Sequence, residues 1–202
     1  MLIAISQRQQ YNQYNSPIDV LEHSYPLFLN SFGIQLLPIP NIVSQADYYF
    51  DNFPIQGIIL TGGEDIDPRL YGEDIDWPNT SPLRDQTEKR MLEIAVARKI
   101  PVFGICRGMQ FINVFFGGKL VKSIKDEITT DHAPGKDHFI TIINERIISL
   151  VGKQEMRVNS FHNQAVTIGT LTPELKIFAT ADKNIIEGVY HSILPIAGIQ
   201  WH

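Results

Sequence analysis

Val102-Phe103-Gly104-Ile105-Cys106-Arg107-Gly108-Met109-Gln110 is the stretch whose reading decides the fold. The apolar run from Pro101 to Ile105 reads as a short buried strand. Met109 to Phe116 reads as a buried helix, stopped by Gly117-Gly118. Cys106 sits at the sharp turn between them, with a glycine two residues to each side. A nucleophilic side chain at a strand-to-helix elbow is the arrangement of G-x-S-x-G, here with sulfur in place of oxygen. The glycines let the backbone turn tightly and keep bulk away from the nucleophile. A helix that begins just after the sulfur points its positive end at it and favours the thiolate. A free cysteine is ordinarily a small buried hydrophobe. The coincidence of both glycines with the switch from strand to helix argues for a nucleophile instead.

Working outward, the pattern alternates strands with helices. Strands are predicted over 2–6, 35–39 and 55–60. Ser16-Pro17 reads as a helix start, with serine as cap and proline in the first position, opening a helix over 18–32 that Pro26 divides and Gly33 ends. A second helix falls within 44–50. A third, amphipathic, spans 85–99, with Met91, Leu92, Ala95 and Val96 inward. Beyond the elbow, 119–136 is polar and is expected to be irregular and mobile. Strands follow over 139–143, 156–159, 175–180, 185–190 and 196–200. Such alternation builds parallel βαβ units. The expected fold is an α/β three-layer sandwich, a central mostly parallel sheet flanked by helices, forming one domain over 1–202. Parallel sheets of this kind bind ligands at the carboxyl ends of their strands. The segments to watch are therefore 7–15, 61–68 and Cys106 itself.

A net charge of −5 gives no reason to expect nucleic acid or a membrane surface as partner. The single cysteine cannot form an internal disulfide, which fits a reducing cytoplasm. The opening Met1-Leu2-Ile3-Ala4-Ile5-Ser6 lacks a basic n-region, and no apolar run reaches membrane-span length. A cytoplasmic enzyme is expected. The acids Glu64, Asp65, Asp67, Glu73, Asp74 and Asp76 match no metal-binding loop spacing. They read as solvated loop acids, with Asp67 capping a short turn that begins at Pro68, and no metal is expected.

A cysteine nucleophile needs a base and an oxyanion hole. Six histidines compete for the first role. His23, His132, His138 and His191 lie in a helix, an irregular segment or at a strand end, and read as structural. His202 directly follows an apolar strand, and His162 sits in the polar turn Asn159-Ser160-Phe161-His162-Asn163-Gln164. On position alone both remain candidates. The elbow supplies one oxyanion donor, the backbone N–H of Arg107. Thr61-Gly62-Gly63, after the third strand of the parallel set, is the obvious source of the second.

Four motifs occur in order: Thr61-Gly62-Gly63-Glu64-Asp65-Ile66-Asp67-Pro68, the elbow from Gly104 to Gln110, Val158-Asn159-Ser160-Phe161-His162-Asn163-Gln164-Ala165-Val166, and Gly198-Ile199-Gln200-Trp201-His202. Together they resemble the class I glutamine amidotransferase fold (flavodoxin-like), and within it the γ-glutamyl hydrolases of the peptidase C26 type that cleave γ-glutamyl-γ-aminobutyrate. The resemblance implies Cys106 as nucleophile, His202 as its base, and the backbone amides of Gly63 and Arg107 as oxyanion donors. It implies that Gly62, Gln110, Asn159, Ser160, Phe161 and His162 help to hold a γ-glutamyl substrate, with no metal or cofactor. It leaves a homodimer open.

Two departures from the family pattern matter. The family usually reads Trp-His-Pro-Glu, whose Glu orients the His, whereas the sequence here reaches Trp201-His202. A Cys–His dyad, with another carboxylate behind the imidazole, is one expectation, and a tail supplying the Glu is the other. The family also often has two adjacent histidines where this chain has His162-Asn163, which favours His202 as the base. The compact length most resembles the enzymes that release glutamate from γ-glutamyl-CDP-amidate in capsule biosynthesis. A diphosphate leaving group wants cations at the cleft mouth: Arg8 is well placed, and Arg84, Lys122 and Lys136 are further candidates. Competing readings are a γ-glutamyl-amine hydrolase, a glutaminase subunit feeding ammonia to a separate synthetase, a non-catalytic module that keeps the fold, and an α/β-hydrolase relative. The last does not carry the Thr61-Gly62-Gly63 or Asn159 to Gln164 motifs.

Overall fold

In the computed structural model, which describes residues 1–128 and 135–202, the chain begins with β1 (Leu2–Ser6), β2 (Arg8–Tyr11), β3 (Pro17–Val20), α1 (Ser24–Asn30) and β4 (Gln35–Ile39). Next come α2 (Val43–Asn52), β5 (Gly57–Leu60), a 3₁₀ turn (Pro68–Tyr71), α3 (Pro82–Arg98), β6 (Val102–Ile105) and α4 (Arg107–Phe115). After the elbow helix follow α5 (Ile124–Glu127), β7 (His138–Ile142), α6 (Glu145–Val151), β8 (Glu155–Val158), β9 (Leu175–Thr180), β10 (Ile186–His191) and β11 (Ile196–Ile199).

Nine strands form one sheet in the order β4-β1-β5-β6-β11-β10-β9-β7-β8. Neighbours from β4 to β11 are parallel, and those from β11 to β8 are antiparallel. The site depends on the parallel half. Ile3-Ala4-Ile5 and Ile58-Ile59-Leu60 are apolar without alternation because both faces of these strands are covered. Their carboxyl ends bring the residues after Ser6, Leu60, Ile105 and Ile199 to one edge.

The elbow glycines serve close packing. A Cβ on Gly108 would lie 2.2 Å from the backbone oxygen of Leu60, and one on Gly104 would lie 2.5 Å from the Gly108 backbone. The first turn of α4 therefore rests on bare β5 and β6 backbone. Gly104 faces α4, so by strand alternation Phe103 and Ile105 face the other way, where they line a groove with Phe28 and Leu29 of α1. Helices thus flank both faces.

The amino-terminal segment differs from expectation. Residues 8–11 pair antiparallel with 17–20 as a small hairpin. The turn is made locally: Asn12 Oδ1 accepts from the amides of Tyr14 and Ser16, a competitor that helix propensity cannot beat. Pro17 opens a strand, not a helix. The helix starts only at Ser24, which puts Pro26 in its first turn, where a missing N–H costs nothing and no kink is needed. Two helices arise that the pattern did not reveal, α5 capped by Ser123 and α6 capped by Asn144. Both are short, and α5 lies in the stretch expected to be irregular. Residues 129–134 of that stretch, including His132, lie outside the described residues. Among the described residues no helix is long and apolar enough to cross a membrane.

Gly108→Ala should destabilise the fold by about 3 kcal/mol, the upper end of overpacking, because its Cβ meets backbone that cannot rotate away. Urea unfolding checks this; a loss below about 1 kcal/mol would mean that α4 is not held against β5.

Candidate active site

Cys106 adopts φ 55° and ψ −107° at the head of α4. A positive φ is strained for a side chain with a Cβ, at about 1–3 kcal/mol, and persists only where the surroundings over-determine it. Here they do. The Cys106 amide donates to the Ile199 carbonyl at 2.7 Å, and its own carbonyl accepts from Met109 and Gln110, the first turn of α4. The side chain borders a cavity of about 460 Å³ at the carboxyl edge of the sheet, lined by Arg8, Glu22, Ser24, Tyr25, Gly62, Gly63, Cys106, Phe161 and His202.

Three of these residues converge tightly. A Cβ built on Gly62 would stand 2.9 Å from His202 Cε1, 3.6 Å from His202 Nε2 and 3.6 Å from Cys106 Cβ. The absent side chain of Gly62 is therefore the space that lets the imidazole sit beside the thiol. His202 leaves β11 and is anchored by its backbone N–H, which donates to Asn159 Oδ1 at 2.8 Å. Its ring meets the Phe161 ring edge-on, with centroids 6.0 Å apart. The Tyr25 hydroxyl, also on the cavity, accepts from the Gly62 amide at 3.1 Å.

Burial pushes the Cys106 thiol up to about 12, helped by the negative charge of Glu187 and opposed by the Arg107 amide and guanidinium. The amide at the helix terminus favours the thiolate, as expected, and desolvation acts against it. His202 moves the other way. Burial lowers its pKa below the usual 6.5, with the Glu22 carboxylate working against the shift. The two shifts favour a thiol beside a neutral imidazole at neutral pH. Glu22, on the same cavity wall, is the carboxylate that bears on the imidazole.

Of the two amides expected to hold an oxyanion, Gly63 lines the cavity and Arg107 directly follows Cys106. Gly63 has φ +143°, and a Cβ there would strike Arg84 Nη1 at 2.4 Å. The Arg107 amide hydrogen-bonds toward Cys106. Beneath them lies a buried ionic cluster. Arg84 donates to Glu64 (2.6 Å), Glu88 (2.8 Å), Thr61 O (2.8 Å) and Thr61 Oγ1 (2.9 Å). Arg107 pairs with Glu88 and Asp85.

Not every residue expected at the site lines the cavity. Gln110 is buried in α4, and its Nε2 donates to Gln164 O (2.7 Å) and Gln200 Oε1 (3.1 Å), so it braces the carboxyl-terminal segments. Ser160 is buried and its carbonyl accepts from Gly135. His162 points inward, with Nδ1 2.9 Å from Gln164 O and Nε2 4.0 Å from Glu187. Of that turn only Phe161 reaches the cavity, and Asn159 acts through the His202 backbone. Of the four candidate cations, Arg8 lines the cavity, paired with Glu22 (3.1 Å) and Glu64 (3.4 Å). Arg84 is fully buried under the loop, Lys122 is tied to Glu73, and Lys136 is exposed elsewhere. His191 is structural, accepting from the amides of Ile193 and Leu194. His23 occupies the N-cap position of α1 without a side-chain cap bond, and His138 lies 3.4 Å from Glu187. Of the loop acids, Asp74 and Asp76 are solvated as expected, whereas Glu64 and Asp67 are buried; Asp67 caps the 3₁₀ turn at the Arg69 amide, and Asp65 accepts from Trp77. Glu22 and Tyr25 were missed in the sequence because they sit in a stretch whose pattern reads as continuous helix.

A cysteine on a strand-to-helix elbow, beside a histidine from the neighbouring strand end, defines a class of α/β proteins. Within it, the chain belongs to the Peptidase C26 family, whose model matches residues 2–202. A Schizosaccharomyces pombe protein named "Putative glutamine amidotransferase PB2B2.05" is 37% identical over 158 residues, 73% of this chain and 61% of that protein. The γ-glutamyl-γ-aminobutyrate hydrolase PuuD of Escherichia coli K12 is 29% identical over 182 residues, 82% of this chain and 71% of its own. A glutamine amidotransferase structure from Thermotoga maritima superposes with a TM-score of 0.65 at 15% identity, covering 100% of this chain and 74% of that one, a likeness of fold. The chain spans about three-fifths of the length of the S. pombe relative.

Two measurements probe this geometry. Gly62→Ala should displace the imidazole by the width of a methyl group and lower kcat/KM by about 10²-fold, with little change in melting temperature. Wild-type rates in that variant would place the base elsewhere. The pH profile follows from the shifts: losing the His202 proton switches activity on, so the acid limb of kcat/KM should have its midpoint below 6.5. The thiol at about 12 gives no second limb in the neutral range. A midpoint above 7 would contradict a neutral resting imidazole.

Proposed function

We propose that this chain hydrolyses a γ-glutamyl amide through a thioester on Cys106. The observation that carries the reading is the meeting of Cys106, Gly62 and His202 on one cavity wall. His202 takes the thiol proton as Sγ attacks the γ-carbonyl carbon. The amides of Gly63 and Arg107 hold the tetrahedral oxyanion. The imidazolium then protonates the departing nitrogen, the C–N bond breaks and a γ-glutamyl thioester remains. His202 next deprotonates a water, which attacks the thioester, and glutamate leaves as the thiol is restored. Membership of the Peptidase C26 family and the similarity to a γ-glutamyl-γ-aminobutyrate hydrolase support this chemistry.

The leaving group follows from the charges at the mouth. Arg8, the arginine lining the cavity, is already paired with two carboxylates, Glu22 and Glu64. This favours an amine leaving group of low negative charge, such as γ-aminobutyrate with its single carboxylate, over a cytidine diphosphoramidate, whose diphosphate would need several unpaired cations.

The test is glutamate release from glutamine, γ-glutamyl-γ-aminobutyrate, a γ-glutamyl dipeptide and γ-glutamyl-CDP-amidate, by wild type and Cys106→Ala. The expected result is release fastest from the γ-glutamyl-amine and lost at least 10³-fold in the folded variant. Fastest release from γ-glutamyl-CDP-amidate would overturn the leaving-group reading alone. Silence on all four from folded protein would overturn the hydrolase reading and favour a glutaminase subunit that needs a synthetase.

A further inference from the structure

Glu88 touches neither the cavity nor the nucleophile. It sits in the middle of α3, fully buried, an acid surrounded by core side chains. A buried carboxylate is costly unless both oxygens are matched. Here each oxygen takes a different arginine. Oε1 accepts from Arg84 Nε at 2.8 Å, and Oε2 accepts from Arg107 Nη1. Burial opposes the charge, but the two guanidiniums overcome it and hold the carboxylate ionised.

Each arginine is fixed to one half of the expected oxyanion hole. Arg84 Nη2 donates to both the carbonyl and the hydroxyl of Thr61, the residue that leads into Gly62 and Gly63, and its Nη1 lies where a Gly63 side chain would be. Thr61 is pinned from the other side by Ser6, whose hydroxyl accepts from the Thr61 amide at 3.0 Å. Arg107 carries the second amide on its own backbone, and its side chain runs back to α3. The two donors thus come from segments 44 residues apart, since 107 − 63 = 44. One carboxylate joins them.

We infer that Glu88 is a positioning residue that sets the separation of the Gly63 and Arg107 amides by holding Arg84 and Arg107 on one carboxylate. The inference rests on the oxyanion roles in the proposed function. A neutral amide at this position keeps the volume but replaces one acceptor with a donor facing a guanidinium. One arginine is then repelled, and its segment loses its anchor. The loss falls on a transition state in which charge develops on the carbonyl oxygen, so it belongs in kcat and not in ground-state binding.

The experiment is Glu88→Gln, read in three ways. On a γ-glutamyl amide, kcat should fall about 10²-fold with KM within about twofold. Alkylation of Cys106 by iodoacetamide forms no oxyanion, so its rate should stay within about twofold. The backbone order parameters of Gly63 and Arg107, near 0.85 for rigid backbone, should fall below about 0.6. Unchanged kcat and unchanged order parameters would overturn the inference. A parallel fall in kcat and alkylation, with a lowered melting temperature, would reduce Glu88 to a structural residue and also overturn it. If the wild type cleaves no γ-glutamyl amide, the functional reading fails on its own, and the order parameters still decide for or against Glu88. Should Glu88→Gln not fold, Glu88→Asp keeps the charge but withdraws the carboxylate by one methylene from the two arginines, and takes the same three readouts.

Discussion

Everything at the catalytic edge stands on a buried ionic cluster formed by Arg84, Arg107, Glu64, Asp85 and Glu88. None of these five residues is more than 6% exposed. Such clusters are not a cheap source of stability, because desolvation takes back much of the Coulombic gain. Their value is geometric. A guanidinium forms directional bonds in a plane, so two arginines sharing one carboxylate fix segments that hydrophobic packing would leave free to slide. Asp85 shows the strain of the arrangement: burial pushes its carboxyl up to about 6, with Arg107 pulling the other way. The cluster sits directly beneath the two glycine-rich turns that approach the nucleophile.

Above that base, the site separates positioning from reactivity. Gly104 and Gly108 give up side chains so that the helix can rest on bare strand backbone, and the strained φ of Cys106 follows from that contact. Gly62 gives up its side chain so that an imidazole can stand beside the sulfur. Burial then shifts both groups, raising the thiol and lowering the imidazole. In the proposed mechanism the reactive anion forms only when a substrate carbonyl arrives and the imidazole takes the proton.

The parallel core was legible because its signals are local and coherent. The apolar runs of β1, β5 and β6, the amphipathic α3 and the glycine-flanked cysteine each carry their own evidence. The hairpin of Arg8–Tyr11 with Pro17–Val20 was not, because an asparagine-centred turn looks like a helix cap when its bonding partners are unknown. The placement of Cys106 and His202 at one cavity followed from strand ends. The burial of Gln110, Ser160 and His162 did not, since a motif states which residues recur and not which way they point. The charged residues misled most. Arg84 reads on paper as a surface cation, and only the three-dimensional partnership with Glu64, Glu88 and Thr61 turns it into a buried brace.

The central claim is that the γ-glutamyl group passes through a covalent bond to Cys106. It is tested most directly by acid-quenching the protein during turnover of a γ-glutamyl anilide, whose good leaving group makes acylation fast, and weighing the peptide that contains Cys106. The account predicts an adduct with the mass of one glutamyl group on that peptide, absent when the quench precedes substrate. Sustained release of glutamate with the Cys106 peptide unmodified, or an adduct on another residue, would contradict it.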